Sequence, residues 1–476
     1  MLNITLNILY IIPIFGIIFI LILPKNFTKI ISLSTAILSF LYSLILTLYY
    51  NPILPLQYVE SYSIFGKLFV VGIDGISLNF ILLTAFILPI CILTSYNSIT
   101  TFIKEFYICL LSIEILLFGV FSVMDLLGFY ILYEGVLIPM FLIIGVWGAR
   151  KEKITAAYYF FFYTFVGSII MLLSIIYLYN KTGSTDYAVL LSQSLDKETQ
   201  YLVFLAFLAS FAVKIPKYPF HIWLPLAHVE APLSGSILLA AVLIKLGSYG
   251  FIRFALPLLP DACHYFAPLV NTMALLAVIY ASITTIRQTD LKRIIAYSSI
   301  GHMGVVMLGI FSLTTEGIEG SIYLQIGHGL VSSALFIIVT NIYDRHHSRL
   351  VKYYRGLVIT MPIWSIMFVL FTMANIAVPL SVNFIGEFLS LYSIFTTNIF
   401  IGIVGGLGII LSACYALLLL NRVTFGSMSP YITENRDLNR REFYILLPLA
   451  VLTVLFGIYP SWILDKVHYT VINLLF

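Results

Sequence analysis

Phe204-Leu205-Ala206-Phe207-Leu208-Ala209-Ser210-Phe211-Ala212-Val213-Lys214-Ile215-Pro216-Lys217-Tyr218-Pro219 is an apolar run of membrane length that ends in a lysine and two prolines. Hydrocarbon gives an ionised side chain no solvation, so a cation set in such a run marks a functional position. Pro216 and Pro219 remove amide donors just after Lys214, so a helix through this stretch must break there. Further out, Glu134, Lys245, His302, His328 and Glu387 also sit well inside apolar runs.

The surrounding chain is built for lipid. Of its 476 residues 61% are hydrophobic and 10% charged, and the mean hydropathy is +1.05, beyond the apolar share of globular domains. Runs of about 20 apolar residues recur about 14 times, the length an α-helix needs to cross roughly 30 Å of hydrocarbon. They are far longer than barrel strands, and only helices or closed barrels satisfy their backbone in lipid. The predicted fold class is therefore all-α, a polytopic membrane bundle. Its spans are placed at 5–23, 31–50, 75–98, 107–123, 126–146, 156–180, 201–222, 231–252, 266–285, 294–313, 321–343, 362–394, 399–420 and 443–463.

Basic residues orient this bundle. The loops after odd-numbered spans hold seventeen of the 25 Lys and Arg residues, and those after even-numbered spans hold four, Lys67, Lys181, Lys197 and Arg253. This bias turns the odd-numbered loops to the inner compartment and both termini outward. The net charge of +4 is mostly this signal, and the cluster Arg345-His346-His347-Ser348-Arg349 is a topology mark rather than a nucleic-acid patch. The start, Met1-Leu2-Asn3-Ile4-Thr5, has no basic n-region, cleavage site or Arg-rich transit pattern, so nothing is expected to be removed. Such a chain suits synthesis inside an organelle or a bacterium.

Cys91, Cys109, Cys263 and Cys414 lie far apart, without the spacing of a zinc or iron–sulfur site, and are expected as apolar fillers. No dinucleotide fingerprint, P-loop or nucleophile elbow is present. The energy source must be a gradient or a partner.

Depth gives the embedded charges their meaning. His302 lies nine residues past Arg293, about 13 Å at 1.5 Å per residue, and His328 lies nine past Glu319 on the other side. Lys245, Glu134 and Lys214 likewise fall nearer the middle than either face. Groups at one depth on different spans form a row in the membrane plane. In hydrocarbon a lysine or glutamate favours its neutral form and a nearby opposite charge restores the ion, so a moving neighbour toggles protonation. Histidine titrates near neutral pH in any case. Left unpaired, Glu134, Lys214, Lys245 and Glu387 would cost on the order of 10 kcal/mol, so Glu134 is expected to pair with a lysine. Structural salt bridges that pin helices are the alternative.

Two spans carry signs of interruption, the seventh at Pro216 and Pro219 and the twelfth at Asn375-Ile376-Ala377-Val378-Pro379-Leu380-Ser381-Val382-Asn383-Phe384-Ile385-Gly386-Glu387. Broken helices expose backbone at mid-membrane in transporters. Their separation by five spans suggests repeats of spans 4–8 and 9–13, the odd number inverting the second.

At these residues a resemblance becomes specific. Gly145-Val146-Trp147-Gly148, Ala156-Ala157-Tyr158-Tyr159-Phe160, the block from Lys214 through Pro219-Phe220-His221-Ile222-Trp223-Leu224-Pro225 to Ala227-His228-Val229-Glu230-Ala231-Pro232, Leu243-Ile244-Lys245, and Asp290 to Gly304 follow in one order. Together they resemble the chain 4 family of NADH:ubiquinone oxidoreductase, respiratory complex I, whose bacterial counterpart is the M-type antiporter-like subunit. The likeness covers about residues 105–395. It implies 14 helices with two inverted five-helix repeats and broken helices 7 and 12. The implied divisions are 1–104 for helices 1–3, 105–254 for the first repeat, 266–421 for the second and 422–476 for the last helix.

By that resemblance the chain is a proton-translocating translocase subunit, multi-pass in the mitochondrial inner membrane or a bacterial inner membrane. Glu134 looks like the fifth-helix glutamate that biases a lysine, and Lys214 like that lysine. Lys245, His302 and His328 resemble the central relay and Glu387 the terminal acid, where the chain 5 and chain 2 types carry lysine. Glu114 matches a fourth-helix acid. No cofactor or metal is expected in this chain; NAD, FMN, iron–sulfur clusters and ubiquinone would lie on other subunits, and the implied partners are other membrane-arm subunits, among them chain 5 and chain 2 types, and lipids. Leu226, Leu233 and Leu380-Ser381 depart from the family pattern and bear on water access around helix 12. An Mrp-type Na⁺/H⁺ antiporter subunit shares these motifs, and a structural spacer would keep the helices without needing the charges.

His221, His228 and Glu230 do not have a zinc spacing and predict a hydrogen-bond network at the end of span seven. Phe160-Phe161-Phe162-Tyr163 predicts packing against lipid or helices.

Overall fold

A computed structural model describes residues 5–64, 67–431 and 436–475, and the chain is predominantly helical. Eleven helices among the described residues are long and apolar enough to cross a membrane: Lys25–Leu48, Gly75–Ser95, Ile103–Ser122, Leu126–Trp147, Lys153–Thr182, Leu233–Leu258, Pro260–Arg287, Leu291–Ile310, Thr315–His346, Ile399–Thr424 and Arg440–Ile458. Asn7–Ile22 and Pro362–Asn375 are shorter apolar helices. Several spans start where a side chain accepts from first-turn amides, at Asp74, Asp125, Asp290, Thr314 and Asn398. These caps satisfy donors that lipid would leave bare.

Both predicted interruptions are present. The span expected at 201–222 is a helix over Lys197–Lys214, an extended turn at Ile215, and a short helix over Trp223–Glu230. The indole of Trp223 donates to Val213 O at 2.9 Å and Lys217 N donates to Ala212 O at 3.0 Å, so the broken end keeps partners. The span expected at 362–394 divides into Pro362–Asn375 and Val382–Thr397. Between them Ala377 and Leu380 take φ of 63° and 73°.

Other features correct the sequence reading. The loop expected between 252 and 266 is absent, because Leu233–Leu258 runs almost directly into Pro260–Arg287. Arg253 is therefore inside a helix, where it pairs with Asp74 at 2.5 Å. Two π-helical turns, Leu239–Leu243 and Phe251–Ala255, interrupt the same span. A hairpin, β1 (Gln57–Ile64) and β2 (Lys67–Ile73), pairs antiparallel with Tyr62 opposite Phe69. Its strands, eight and seven residues long, are too short to register among membrane-length apolar runs. A last helix, Ser461–Leu475, follows the final span.

Burial ranks the spans by distance from lipid. Leu233–Leu258 and Thr315–His346, which carry Lys245 and His328, are buried along their whole apolar window, against 39% for Lys153–Thr182 and Ile399–Thr424. The central charges thus ride on the innermost helices.

Candidate functional site

The first break sets Lys214 at the last turn of its helix, 3% exposed. Its Nζ donates to Tyr133 O at 3.3 Å and lies 3.8 Å from the centroid of the Tyr133 ring, a cation–π contact. Glu134, the next residue, is half-buried and faces both Lys214 and Ser168. The expected ion pair is not formed: among the described residues no Glu134–Lys214 contact reaches salt-bridge distance. The ammonium is held by the carbonyl and ring of Tyr133 instead, which leaves Oε1 of Glu134 without a hydrogen-bond partner.

The second cluster is contiguous. Lys245 Nζ donates to Ala240 O and lies 3.2 Å from His328 Nδ1. The His328 and His302 ring centroids are 5.6 Å apart. His302 Nδ1 lies 2.7 Å from Glu387 Oε1, and its Nε2 lies 3.1 Å from Asn375 Oδ1, at the end of the broken twelfth helix. Lys245, His328, His302 and Glu387 are each 4% exposed or less.

Both ring nitrogens of His302 are engaged, one by the Glu387 carboxyl and the other by the Asn375 amide. Lys245 and His328 cannot both be cations, since two unit charges 3.2 Å apart repel by about 5 kcal/mol at an effective dielectric of about 20. One proton on that axis sits on the amine or on the ring. This is the geometry of a transfer step.

Lys214 and Lys245 are not hydrogen-bonded to one another among the described residues. Their helices nevertheless touch, because a Cβ on Gly247 would lie 3.0 Å from Phe211 O and 2.6 Å from the Ile215 side chain. Only glycine lets the two backbones approach so closely. Glu114 is placed elsewhere: its Oε1 meets Ser39 Oγ on the second helix at 2.5 Å, and neither Glu134 nor any of the other five groups is its partner.

The expected network of His221, His228 and Glu230 does not form. Both nitrogens of His228, Nδ1 of His221 and Oε2 of Glu230 lack partners, and His228 stacks on Phe336 with centroids 4.9 Å apart. The donors that face Trp223–Glu230 are taken by its backbone instead, Ser236 Oγ by His228 O, Arg349 by Val229 O and Ala149 N by Glu230 O. Four buried cations escaped the sequence reading: Arg253, described above, Arg349, which donates to Val229 O, and two lysines. Lys217, 2% exposed, donates to Met303 O at 3.1 Å, next to His302. Lys292, 5% exposed, donates to Ala231 O at 3.0 Å and Ser236 Oγ at 3.1 Å. Each lies near a span end, where a lysine normally reaches water.

Residues 123–412 match the family described as NADH:quinone oxidoreductase/Mrp antiporter, TM. The chain is 57% identical over 402 residues to the NADH-ubiquinone oxidoreductase chain 4 of Metridium senile, covering 84% of this chain and 82% of that one. It is 49% identical to that of Marchantia polymorpha, covering 98% and 96%. Among solved structures, respiratory complex I from Thermus thermophilus with bound NADH contains a chain that superposes with a TM-score of 0.89 at 29% identity, covering 98% and 99%. An archaeal membrane-bound sulfane sulfur reductase shares the fold, with a TM-score of 0.87 at 24% identity, covering 97% of this chain and 77% of that one. Two clusters of buried acids, lysines and histidines, gathered at the breaks of two interrupted helices, thus coincide with close kinship over nearly the full length, and the chain belongs to the NADH-ubiquinone oxidoreductase chain 4 family.

Proposed function

We propose that this chain moves protons across an inner membrane as one unit of the membrane arm of NADH:ubiquinone oxidoreductase, along Glu134, Lys214, Lys245, His328, His302 and Glu387. The observation that carries the reading is the second cluster, where a lysine, two histidines and a glutamate follow one another on four helices, shut off from lipid. Such a set has no structural need for two histidines, since a lysine–glutamate pair alone would neutralise itself.

Glu134, the neighbour of the Tyr133 that holds Lys214, biases that lysine, so a change in its distance or charge alters the lysine's hold on a proton. The proton leaving Lys214 passes to Lys245, then to the His328 ring, and the His302–Glu387 pair receives it at the far end. Transfer from Lys214 to Lys245 requires a rearrangement at the break, because no hydrogen bond joins them now. Redox chemistry at NADH, flavin, iron–sulfur clusters and quinone belongs to other subunits, with chain 5 and chain 2 types as neighbours, and its signal must change interactions in at least two states. On this reading the helix Asn7–Ile22 and the two broken pairs serve as the remaining crossings of a fourteen-helix unit, arranged as helices 1–3, inverted repeats at 105–254 and 266–421, and a terminal part from 422.

Lys214→Ala and Glu134→Ala, each in the assembled complex, are expected to abolish proton pumping in reconstituted vesicles and to reduce coupled NADH oxidation strongly. Normal pumping in either variant would remove the row from the mechanism.

A further inference from the structure

The buried face of the helix Thr28–Leu48 is lined by hydroxyls, Thr28, Ser32, Thr35, Ser39, Ser43 and Thr47. From Thr28 to Thr47 the stripe spans about 28 Å at 1.5 Å per residue, close to the roughly 30 Å of a hydrocarbon core. Each of these side chains donates to a backbone carbonyl one turn back, with distances of 2.7 to 3.0 Å. Apart from Ser39, whose hydrogen faces two oxygens, they therefore present only acceptor lone pairs to the rest of the bundle.

At the midpoint one of them meets an acid. Ser39 Oγ lies 3.0 Å from Ala36 O and 2.5 Å from Glu114 Oε1, and a hydroxyl has a single hydrogen to give. Both contacts are satisfied together only when Glu114 carries a proton and donates it to Ser39, while Ser39 donates to Ala36 as its neighbours do. Glu114 is 1% exposed, its Oε2 has no partner, and among the described residues it enters no ion pair. An ionised carboxylate there would be solvated by one neutral hydroxyl, which falls far short of replacing water.

We propose that Glu114 is a proton-binding site of its own, a neutral carboxylic acid halfway along a hydroxyl-lined lane that crosses the membrane through the N-terminal helices, separate from the central row. The lane has ends of different character. Lys29 Nζ donates to Tyr96 O beside one, and Tyr50, buried with an unpartnered hydroxyl, lies beside the other. The row lies in the membrane plane, whereas this lane runs normal to it, so the two differ in direction as well as position.

The test is infrared difference spectroscopy on the assembled complex in its membrane, comparing the native protein with Glu114→Gln and Ser39→Ala in H₂O and D₂O. The native protein is expected to show the C=O stretch of a protonated carboxylic acid that is lost in Glu114→Gln, displaced in Ser39→Ala, and lowered in frequency on transfer to D₂O. Absence of any carboxylic band lost in Glu114→Gln would show an ionised group and overturn the proposal. A band that is lost in the variant yet unmoved by D₂O would show a sealed acid and overturn the lane. Neither result depends on the pumping behaviour of Lys214 or Glu134 variants, so failure here and failure of the row are told apart.

Discussion

Arg253 and Asp74 hold each other at 2.5 Å inside the bundle, with side-chain exposures of 7% and 3%. Arg253 also lies 4.8 Å from the Tyr187 ring centroid and reaches Met124 Sδ at 2.7 Å. Removing one member of such a pair strands a buried charge, which costs roughly 3–5 kcal/mol, whereas replacing both with apolar groups is often neutral. Asp74→Ala is thus expected to cut the yield of assembled complex on native gels, and Asp74→Leu with Arg253→Met to restore most of it; equal yields in the single and double variants would count against the pair. Residues deep within uniform apolar runs, such as Lys245 and His328, were legible in the sequence because lipid offers them nothing. Arg253 was not, since eight residues past Lys245 it looked like a basic mark at a loop, and only the continuous helix shows that it is enclosed.

Proline and glycine made both broken spans visible in advance, but not what the chain does between the pieces. At the second break Ala377 and Leu380 adopt left-handed backbone without being glycine, which costs about 1–2 kcal/mol each, and nothing in a leucine announces this. The turn is covered by the last span at Gly457, where an added Cβ would sit 2.0 Å from Leu380 O and 2.8 Å from Ser381 N. Gly457→Ala must therefore push the two elements apart, and overpacking of this kind costs about 1–3 kcal/mol. We expect a lower thermal unfolding midpoint for the complex carrying this variant, together with slowed pumping, because Asn375 and Glu387 flank the displaced turn; an unchanged midpoint would refute the close fit. The hairpin and the π-helical turns stayed hidden for other reasons. Strands of seven or eight residues are too short to mark a hydropathy count, and a five-residue wide turn has no sequence signature against an apolar background.

Taken whole, the molecule is two polar systems inside a greasy cylinder whose orientation rests on lysine and arginine placement. That orientation is open to test. In a Cys414→Ser background, since Cys414 is the exposed thiol among the described cysteines, His347→Cys should react with an impermeant reagent only from the inner side and Gln193→Cys only from the outer. Reversed labelling would invert the assigned sides. The overall architecture was legible because hydrocarbon thickness fixes helix length, while the gap between Lys214 and Lys245 was not, because depth along a helix says nothing of the azimuth at which two helices meet. One further property of the assembly comes from Lys245, whose ammonium is tethered to Ala240 within its own π-helical turn as well as facing His328. Charge on that nitrogen and winding of that helix therefore share an atom: a neutral amine still has hydrogens for Ala240 O but grips it less firmly than a cation does, so the wide turn and the proton are held by the same bond.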